Sequence, residues 1–169
     1  YKKNNFLINA QGNILLQKKD DFFSFNIEKK NNKFIFKNIL KIKENPLLVN
    51  FLNYKKNEKV ETVIKIDGYK NLKKELYFNT ISLSEGNNKI DFANISFDKN
   101  NKFNSLDKME LRYLDEDNEK NFLILFREKQ NYILKGDYFN AHKLLKTLLL
   151  EDKQNDYLNK DIRLELDLK

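Results

Sequence analysis

The chain offers few side chains suited to catalysis. His142 is the only histidine and cysteine is absent, which excludes a histidine metal cluster, thiolate ligands and disulfides. A catalytic triad built on His142 would need an activated nucleophile, and no Gly-x-Ser-x-Gly elbow occurs. The helical pattern around His142 and the neighbouring Lys143 favour a surface or capping role for the histidine.

Two further patterns could bind ligands, but neither has the required spacing. Asp115, Glu116 and Asp117 are adjacent, whereas a calcium loop distributes its carboxylates over a longer stretch, so we interpret them as a solvated hairpin tip. The glycines at 12, 68, 86 and 136 are isolated near strand ends and form no phosphate loop. We predict that the protein is not an enzyme and uses no cofactor.

The net charge of +7 raises the question of a nucleic-acid partner. Lysine supplies almost all of the excess, since arginine occurs only at positions 112, 127 and 163. The lysines are scattered among acidic residues and accompany abundant asparagine, which is typical of an AT-rich genome rather than of a basic binding surface. We therefore expect no nucleic-acid partner.

The 169 residues form a single segment, 1–169, without a linker rich in proline or glycine. Tyr1 is not an initiator methionine, and the final alternation DIRLELDLK stops in mid-strand. We therefore expect a segment of a larger protein, truncated at both ends. No run approaches the roughly 18 apolar residues of a membrane span, although an anchor could lie outside the segment.

Period-two alternation dominates the chain and predicts strands. It is regular in FFSFNIE, ETVIKID, NTISLSE, NKIDF, ANISF, KMELRY and NFLILFRE, and less regular in FLINA, NILLQ and KFIFKNI. Turn residues separate these runs, among them Gln11-Gly12, Lys30 to Asn32, Glu85 to Asn88 and Asp115 to Asn118. The pattern predicts a mainly β fold, built as a long antiparallel meander.

Two segments break the alternation. Asn45-Pro46 is predicted to start a short helix over LLVNFLNY, residues 47–54. Asn140 is the predicted N-cap of a second short helix. The apolar stripe of this helix is expected to pack on the sheet and consists of Leu144, Leu145, Leu148 and Leu149.

An antiparallel meander has one apolar face, and that face has to be covered. Two short helices are too small for this, which leaves two alternatives: closure as a sandwich or barrel around an internal core, or a curved, partly open trough lined against lipid. Moving an acyl chain into water costs roughly 0.8 kcal/mol per CH₂, which gives such a trough a physical rationale. The predicted lining consists of Phe23, Phe25, Ile27, Ile64, Ile66, Ile81, Leu83, Ile90, Phe92, Phe122, Ile124, Phe126, Leu164 and Leu166.

The passage KGDYFNAHKLLKTLLLED, followed by DIRLELDLK, resembles the AsmA-like superfamily, especially its YhdP-type proteins. Those carry a strand, a glycine, an aromatic, an acidic or amide residue with alanine, and then a short leucine-rich helix and another strand. The matching positions here are Gly136, Phe139, Asn140, Ala141, Leu144 and Leu145. The repeated strand-turn units of residues 87–113 are similar to the family as well, and the likeness is clearest from about residue 60 to the end.

The resemblance implies a fold and a function. It implies a twisted, curved, taco-like β-groove with two short helices, one of which closes an end of the groove or places a bend in it. It also implies a periplasmic segment of a protein anchored in the inner membrane outside residues 1–169, which carries phospholipid acyl chains toward the outer membrane. A non-catalytic β-sheet interaction module with an internally buried core is the alternative.

Overall fold

The computed structural model describes residues 5–17, 19–57, 59–129, 131–151 and 164–168. It contains one α-helix, α1 (His142–Glu151), and one 3-10 turn, Asn50–Leu52. The strands are β1 (Phe6–Leu16), β2 (Lys19–Lys30), β3 (Lys33–Ile42), β4 (Leu48–Val49), β5 (Tyr54–Lys55), β6 (Thr62–Asn71), β7 (Leu76–Glu85), β8 (Asn88–Phe97), β9 (Phe103–Ser105), β10 (Lys108–Leu114), β11 (Lys120–Glu128), β12 (Asn131–Tyr138) and β13 (Leu164–Leu168).

Eleven strands form one open sheet, which confirms the predicted mainly β fold. The order is β1-β2-β3-β6-β7-β8-β10-β11-β12-β13, and the short β9 pairs only with β8. Every pairing from β1 to β12 is antiparallel between strands that follow one another along the sheet. Because β1 and β13 lie at opposite ends of this order, the described strands do not close into a barrel.

Two details of the meander differ from the sequence-based prediction. The predicted turn at Gln11-Gly12 is wrong, because β1 runs unbroken through both residues and pairs with β2 along its whole length. The last pairing, between β12 and β13, is parallel rather than antiparallel. A parallel pair needs a crossover instead of a tight turn, and α1 lies in that connection.

Asparagine makes the tight turns between the strands possible. Asn31 and Asn32 have φ of 48° and 61° in the β2–β3 turn, and Asn118 has φ of 61° in the β10–β11 turn. Asparagine tolerates this left-handed conformation better than most residues with a side chain. The predicted turns at these sites are therefore confirmed.

The predicted helix over residues 47–54 is wrong. The segment forms β4, the 3-10 turn and β5, and β4 pairs with β5 as a two-stranded hairpin. Asn53 ends the 3-10 turn with φ of 53°, and Leu52 and Tyr54 are buried against the sheet. Burial of these two side chains outweighs the weak helix preference of a short segment. We call residues 43–61, which connect β3 to β6, the strap.

Candidate functional site: the apolar face of the sheet

The strand registers divide the side chains of the sheet between two faces. Partners in a pairing lie on the same face, so the register can be followed from strand to strand. Ile64 pairs with Leu83, Leu83 with Ile90, Ile90 with Leu111 and Leu111 with Leu123. We call the side of the sheet that carries these residues the apolar face, and the other side the opposite face.

Most of the predicted lining shares the apolar face. The registers place on it Phe23, Phe25, Ile27, Ile64, Ile66, Ile81, Leu83, Ile90 and Phe92. The backbone of Leu164 pairs with Tyr132 and that of Leu166 with Leu134, so both are in register with this face. Their side chains lie outside the described residues.

Three predicted lining residues lie on the wrong side. Phe122, Ile124 and Phe126 alternate with Leu123, which pairs with Leu111 of the apolar face. They therefore lie on the opposite face, and the expectation that they share the lining is wrong. The segment NFLILFRE is apolar at both parities, so alternation alone could not choose between them.

The sequence reasoning also missed the aromatic part of the apolar face. Phe78 and Ile81 are three positions apart, so in a regular strand they would lie on different faces. Both lie on the apolar face, because the β6–β7 register shifts between Asp67 and Gly68. In the neighbouring strand β8, Asn94 has φ of 54°. The apolar residues of β8 fall on even positions in NKIDF and on odd positions in ANISF. That change of parity was the available signal for a bulge.

An aromatic row crosses this part of the face. Phe36 contacts Phe78 at 5.7 Å between ring centroids, Phe78 contacts Phe97 at 6.1 Å, and Phe97 contacts Phe103 at 6.2 Å. All three pairs are edge-to-face, the arrangement that aromatic quadrupoles favour. Gly68 leaves room for the row, because a Cβ there would lie 2.9 Å from the Phe36 ring and would overlap the carbonyl oxygen of Tyr77.

Burial on the apolar face changes along the strands. On β8, Ile90 is 5% exposed, whereas Phe92, Ile95 and Phe97 are only half-buried. On β7, Leu83 is buried while Ile81 and Phe78 are half-buried. As far as the described residues show, the apolar face is therefore covered at one end of the strands, where β8 begins and β7 ends. It is open over the rest of their length.

The strap provides the cover at the buried end. Leu52 and Tyr54 are 3% and 1% exposed and join one core with Leu83, Ile90 and Leu111 of the sheet. Tyr54 also packs edge-to-face on Tyr113, with 5.8 Å between the ring centroids. Phe139, just beyond β12, packs against the same core.

Buried polar contacts hold the strap on the sheet. The Glu85 carboxylate accepts hydrogen bonds from the Tyr54 hydroxyl at 2.8 Å and the Asn57 backbone N–H at 2.6 Å. The Tyr113 hydroxyl donates to the Leu52 carbonyl at 2.7 Å. Burial raises the pKa of the Tyr54 hydroxyl, and the Glu85 carboxylate raises it further. The hydroxyl therefore stays protonated and remains a hydrogen-bond donor.

The ends of the strap are anchored as well. Asn45 donates to the Asp21 carboxylate at 2.7 Å, and the Lys43 backbone N–H donates to the same carboxylate at 2.8 Å. Burial alone would raise the pKa of Asp21, but these hydrogen bonds together lower it. The Lys56 ammonium is buried and donates to the carbonyls of Lys43 at 2.8 Å and Asn57 at 3.0 Å.

The start of α1 is tied to the same end of the sheet. The Asn140 backbone N–H donates to the Asn121 side chain at 2.8 Å, and the Asn140 side chain accepts from the His142 backbone N–H at 3.3 Å. The Asn140 amide also lies 3.4 Å from Asp115. The hydrogen bond to His142 is of the kind a capping asparagine makes, but α1 begins at His142 and the Leu145 N–H bonds to the Ala141 carbonyl, so Asn140 lies one residue before the N-cap rather than at it.

The sequence suggested that Asp115 lies in a solvated hairpin tip, and for this residue the prediction is wrong. It is 4% exposed, and its carboxylate accepts the backbone N–H groups of Asp117 at 3.0 Å and Glu119 at 2.9 Å. Burial would raise the pKa of Asp115, but the hydrogen bonds that it accepts lower it. Asp115 is therefore a structural residue of the β10–β11 turn.

The predicted packing of the helix stripe is only partly met. Leu144 is half-buried, whereas Leu145 is 53% exposed, so the expectation that Leu145 packs on the sheet is wrong. The side chains of Leu148 and Leu149 lie outside the described residues. The helix contacts the 3-10 turn of the strap, so it adds to the cover at the closed end.

The opposite face is polar over most of its width. Lys89 pairs with Asp91 at 2.8 Å, and Glu110 pairs with Lys108 at 3.2 Å and Arg112 at 3.6 Å. Burial alone would raise the pKa of Glu110, but its hydrogen bond to Lys108 and the surrounding cations together lower it. Each of these pairs joins residues two positions apart on one strand, and such surface pairs contribute little stability but mark the face that meets water.

One part of the opposite face is more apolar. Phe122 lies under Arg112, at 5.2 Å from the guanidinium to the ring centroid, and Phe126 lies under Lys135 at 5.7 Å. A cavity of about 470 Å³ borders this patch and is lined by Asn87, Asn88, Arg112, Tyr113, Leu114, Lys120, Asn121 and Phe122. It is distinct from the open part of the apolar face.

Among the described residues, no group of three or more acidic or histidine side chains is placed to hold a metal ion. In that same part of the chain, no helix is both long and apolar enough to cross a membrane. Comparison with protein-family models, with curated proteins and with solved structures finds no match for the chain.

Proposed function

We propose that the chain is a segment of a lipid-carrying protein whose apolar face holds phospholipid acyl chains. The observation that carries the proposal is the change of burial along β7 and β8. The same face that forms a packed core under the strap continues as half-buried Phe78, Phe92 and Ile95, with no second layer over it among the described residues. A soluble protein rarely leaves a wide apolar surface without an occupant.

An acyl chain suits this surface chemically. The open part presents phenylalanine and isoleucine side chains, and its aromatic row offers rings without hydroxyl groups. An acyl chain needs no hydrogen bonds, and each CH₂ removed from water contributes roughly 0.8 kcal/mol. A chain of more than ten carbons would thus gain on the order of 10 kcal/mol before the entropic cost of ordering is subtracted.

The cellular setting of the proposal comes from the sequence resemblance. In that setting the segment lies in the periplasm of a bacterial envelope, and the whole protein is anchored in the inner membrane through a part outside residues 1–169. Phospholipid would move along the apolar face toward the outer membrane. The chain then acts as a conduit and not as an enzyme, with no nucleic-acid partner and no cofactor.

The packed core under the strap favours a second candidate. Leu111 and Tyr54 are each 1% exposed, as in a dry protein interior. A non-catalytic scaffold or interaction module would extend such packing over the rest of the face and bind no lipid.

Photo-crosslinking in the native cell separates the two candidates. A photoreactive residue replaces Ile81 or Phe92 on the apolar face of the whole protein, and Ser82 or Ser84 of β7 on the opposite face serves as the matched control. Lipid mass spectrometry then identifies adducts. We expect phospholipid adducts at Ile81 and Phe92 that are absent at the two serines. Normal protein levels without adducts at any position of the apolar face would refute lipid carriage.

A further inference from the structure

The charged side chains of the apolar face differ between the two ends of its strands. We call the end under the strap the strap end and the other the open end. At the strap end the face carries Lys19, Asp21 and Glu85. Lys19 pairs with Glu44 at 3.1 Å, and both carboxylates accept hydrogen bonds from residues of the strap. The charges at this end are therefore already partnered within the chain.

Within the described strands, the open end of the same face carries only cations. Lys29 pairs with Phe34 and Phe34 pairs with Lys70, so the two lysines flank one aromatic ring. Neighbouring strands lie about 4.8 Å apart, which puts the two lysine backbones about 10 Å from each other. Arg127 of β11 lies at the same end and pairs with Tyr132. One end of the apolar face is thus cationic as well as open.

Lys29 and Lys70 remain available to a ligand. The Lys29 ammonium lies over the Phe34 ring, at 5.6 Å from the centroid, and Lys70 is exposed. In the part of the chain that the structure describes, neither lysine pairs with a carboxylate. Two ammonium groups beside a phenylalanine ring suit a ligand that combines an anionic group with an apolar body.

The carboxylates in the neighbouring turns have other partners. Glu75 accepts hydrogen bonds from the Asn71 side chain at 2.7 Å and from the Tyr77 hydroxyl at 3.0 Å. Asp98 accepts two backbone N–H groups of its own turn, at 2.8 and 2.9 Å. These contacts hold the two carboxylates in their turns, so the positive charge of the lysines remains on the apolar face.

The length of the face between its two ends matches one acyl chain. The six steps along β6 from Ile64 to Lys70 span about 20 Å. Ile64 packs against the core under the strap, which closes the face at that end. An acyl chain fills about half of the roughly 30 Å hydrocarbon core of a bilayer, or about 15 Å. A lipid lying along the strands, with its phosphate near Lys70, would therefore place the end of its acyl chain close to the strap.

We propose that the apolar face selects phospholipids whose headgroup has a net negative charge. Lys29 and Lys70 bind this headgroup at the open end, and the acyl chains point toward the strap. The inference rests on the proposed lipid-carrying function and deepens it, because it assigns a charge to the lipid and a direction to its long axis. A zwitterionic headgroup carries an ammonium group of its own, which the two lysines repel.

Photo-crosslinking of the whole protein in the native cell tests the selection. A photoreactive residue at Ile81 traps the lipid, and mass spectrometry gives the ratio of anionic to zwitterionic adducts. Lys29→Gln combined with Lys70→Gln should lower this ratio about threefold or more, since each exposed charge contributes modestly. Lys37→Gln combined with Lys65→Gln is the matched control. It removes the same charge from exposed sites of β3 and β6 on the opposite face, so the ratio should not change.

The outcomes separate the selection from lipid carriage itself. An unchanged ratio after the Lys29 and Lys70 substitutions, or an equal fall in the control, would overturn the selection and leave lipid carriage standing. With the native lysines and normal protein levels, a lack of lipid adducts at Ile81 would refute lipid carriage, and the selection with it. Adducts with another protein in place of lipid would have the same meaning.

The direction of the lipid can be tested without changing a lysine. Photoreactive residues replace Leu76, which pairs with Lys70, and Ile81, which lies nearer the strap on the same strand. Alkaline hydrolysis cleaves the ester bonds of the trapped lipid. An adduct through the acyl chain then keeps a fatty-acid mass on the protein, whereas one through the headgroup or glycerol keeps a phosphate-bearing mass. We expect the phosphate-bearing mass at Leu76 and the fatty-acid mass at Ile81. The reverse pattern, or one product at both positions, would overturn the proposed direction.

Discussion

Two isoleucines on one strand distinguish an open apolar face from a closed core. Ile90 and Ile95 lie on the same face of β8, but Ile90 is 5% exposed under the strap while Ile95 is half-buried. Ile90→Ala removes packing against Leu83 and Leu111 and leaves a cavity, which should cost about 3 kcal/mol. Ile95→Ala removes side-chain atoms that already contact solvent, so it should cost about 1 kcal/mol.

The assay is urea and thermal unfolding of lipid-free protein followed by circular dichroism. For a chain of this size, 1 kcal/mol corresponds to roughly 2–4 °C in Tm, so the expected losses are about 6–12 °C for Ile90→Ala and about 2–4 °C for Ile95→Ala. Added phospholipid should raise the Tm of the native protein and raise that of Ile95→Ala less, since one lining side chain is missing.

Equal destabilisation by the two substitutions would refute the reasoning. It would mean that Ile95 has close-packed neighbours on the apolar face, as in an internally buried core. The scaffold function would then be favoured over lipid carriage. The paired design controls for helix or strand preference, because the substitution is the same in both cases and both sites are in one strand.

Three further outcomes follow from particular side chains. Gly68→Ala should lower the free energy of unfolding by about 1–3 kcal/mol in urea titrations, because its Cβ would overlap the Tyr77 carbonyl, and an unchanged midpoint would show that the bulge can widen. Leu145→Asp should change the Tm by less than about 2 °C in a calorimetric scan, since Leu145 is 53% exposed, and a large loss would show that it is packed. The folded-state pKa values of Asp21 and Asp115 are lowered from 3.8, so their stabilisation is present above about pH 4 and is lost as the pH falls through the folded values. Unfolding measured from pH 7 to pH 2 should show this loss, and Asp115→Asn should reduce it.

Sequence alone determined most of the long strands and part of the apolar face. Period-two alternation is a local property of each strand, and the asparagine-rich turns joined consecutive strands into a meander that the structure confirms. Regular strands such as FFSFNIE have one apolar parity, so the shared face of Phe23, Phe25 and Ile27 could be predicted without tertiary information.

The tertiary structure decided which apolar set joins that face and what covers it. NFLILFRE is apolar at both parities. Only its pairing with β10 places Leu123 on the apolar face and Phe122, Ile124 and Phe126 on the opposite face. Register shifts at bulges reverse the parity within a strand, as between Phe78 and Ile81.

The strap that covers part of the apolar face was likewise decided by tertiary contacts. Residues 47–54 have a helix-like pattern, but burial of Leu52 and Tyr54 against residues distant in sequence made the segment a strap. Hydrogen bonds across such distances, as from Tyr113 to Leu52 and from Tyr54 to Glu85, leave no pattern in the local sequence. Local periodicity therefore predicts elements, whereas register and long-range burial decide which of their side chains form a surface.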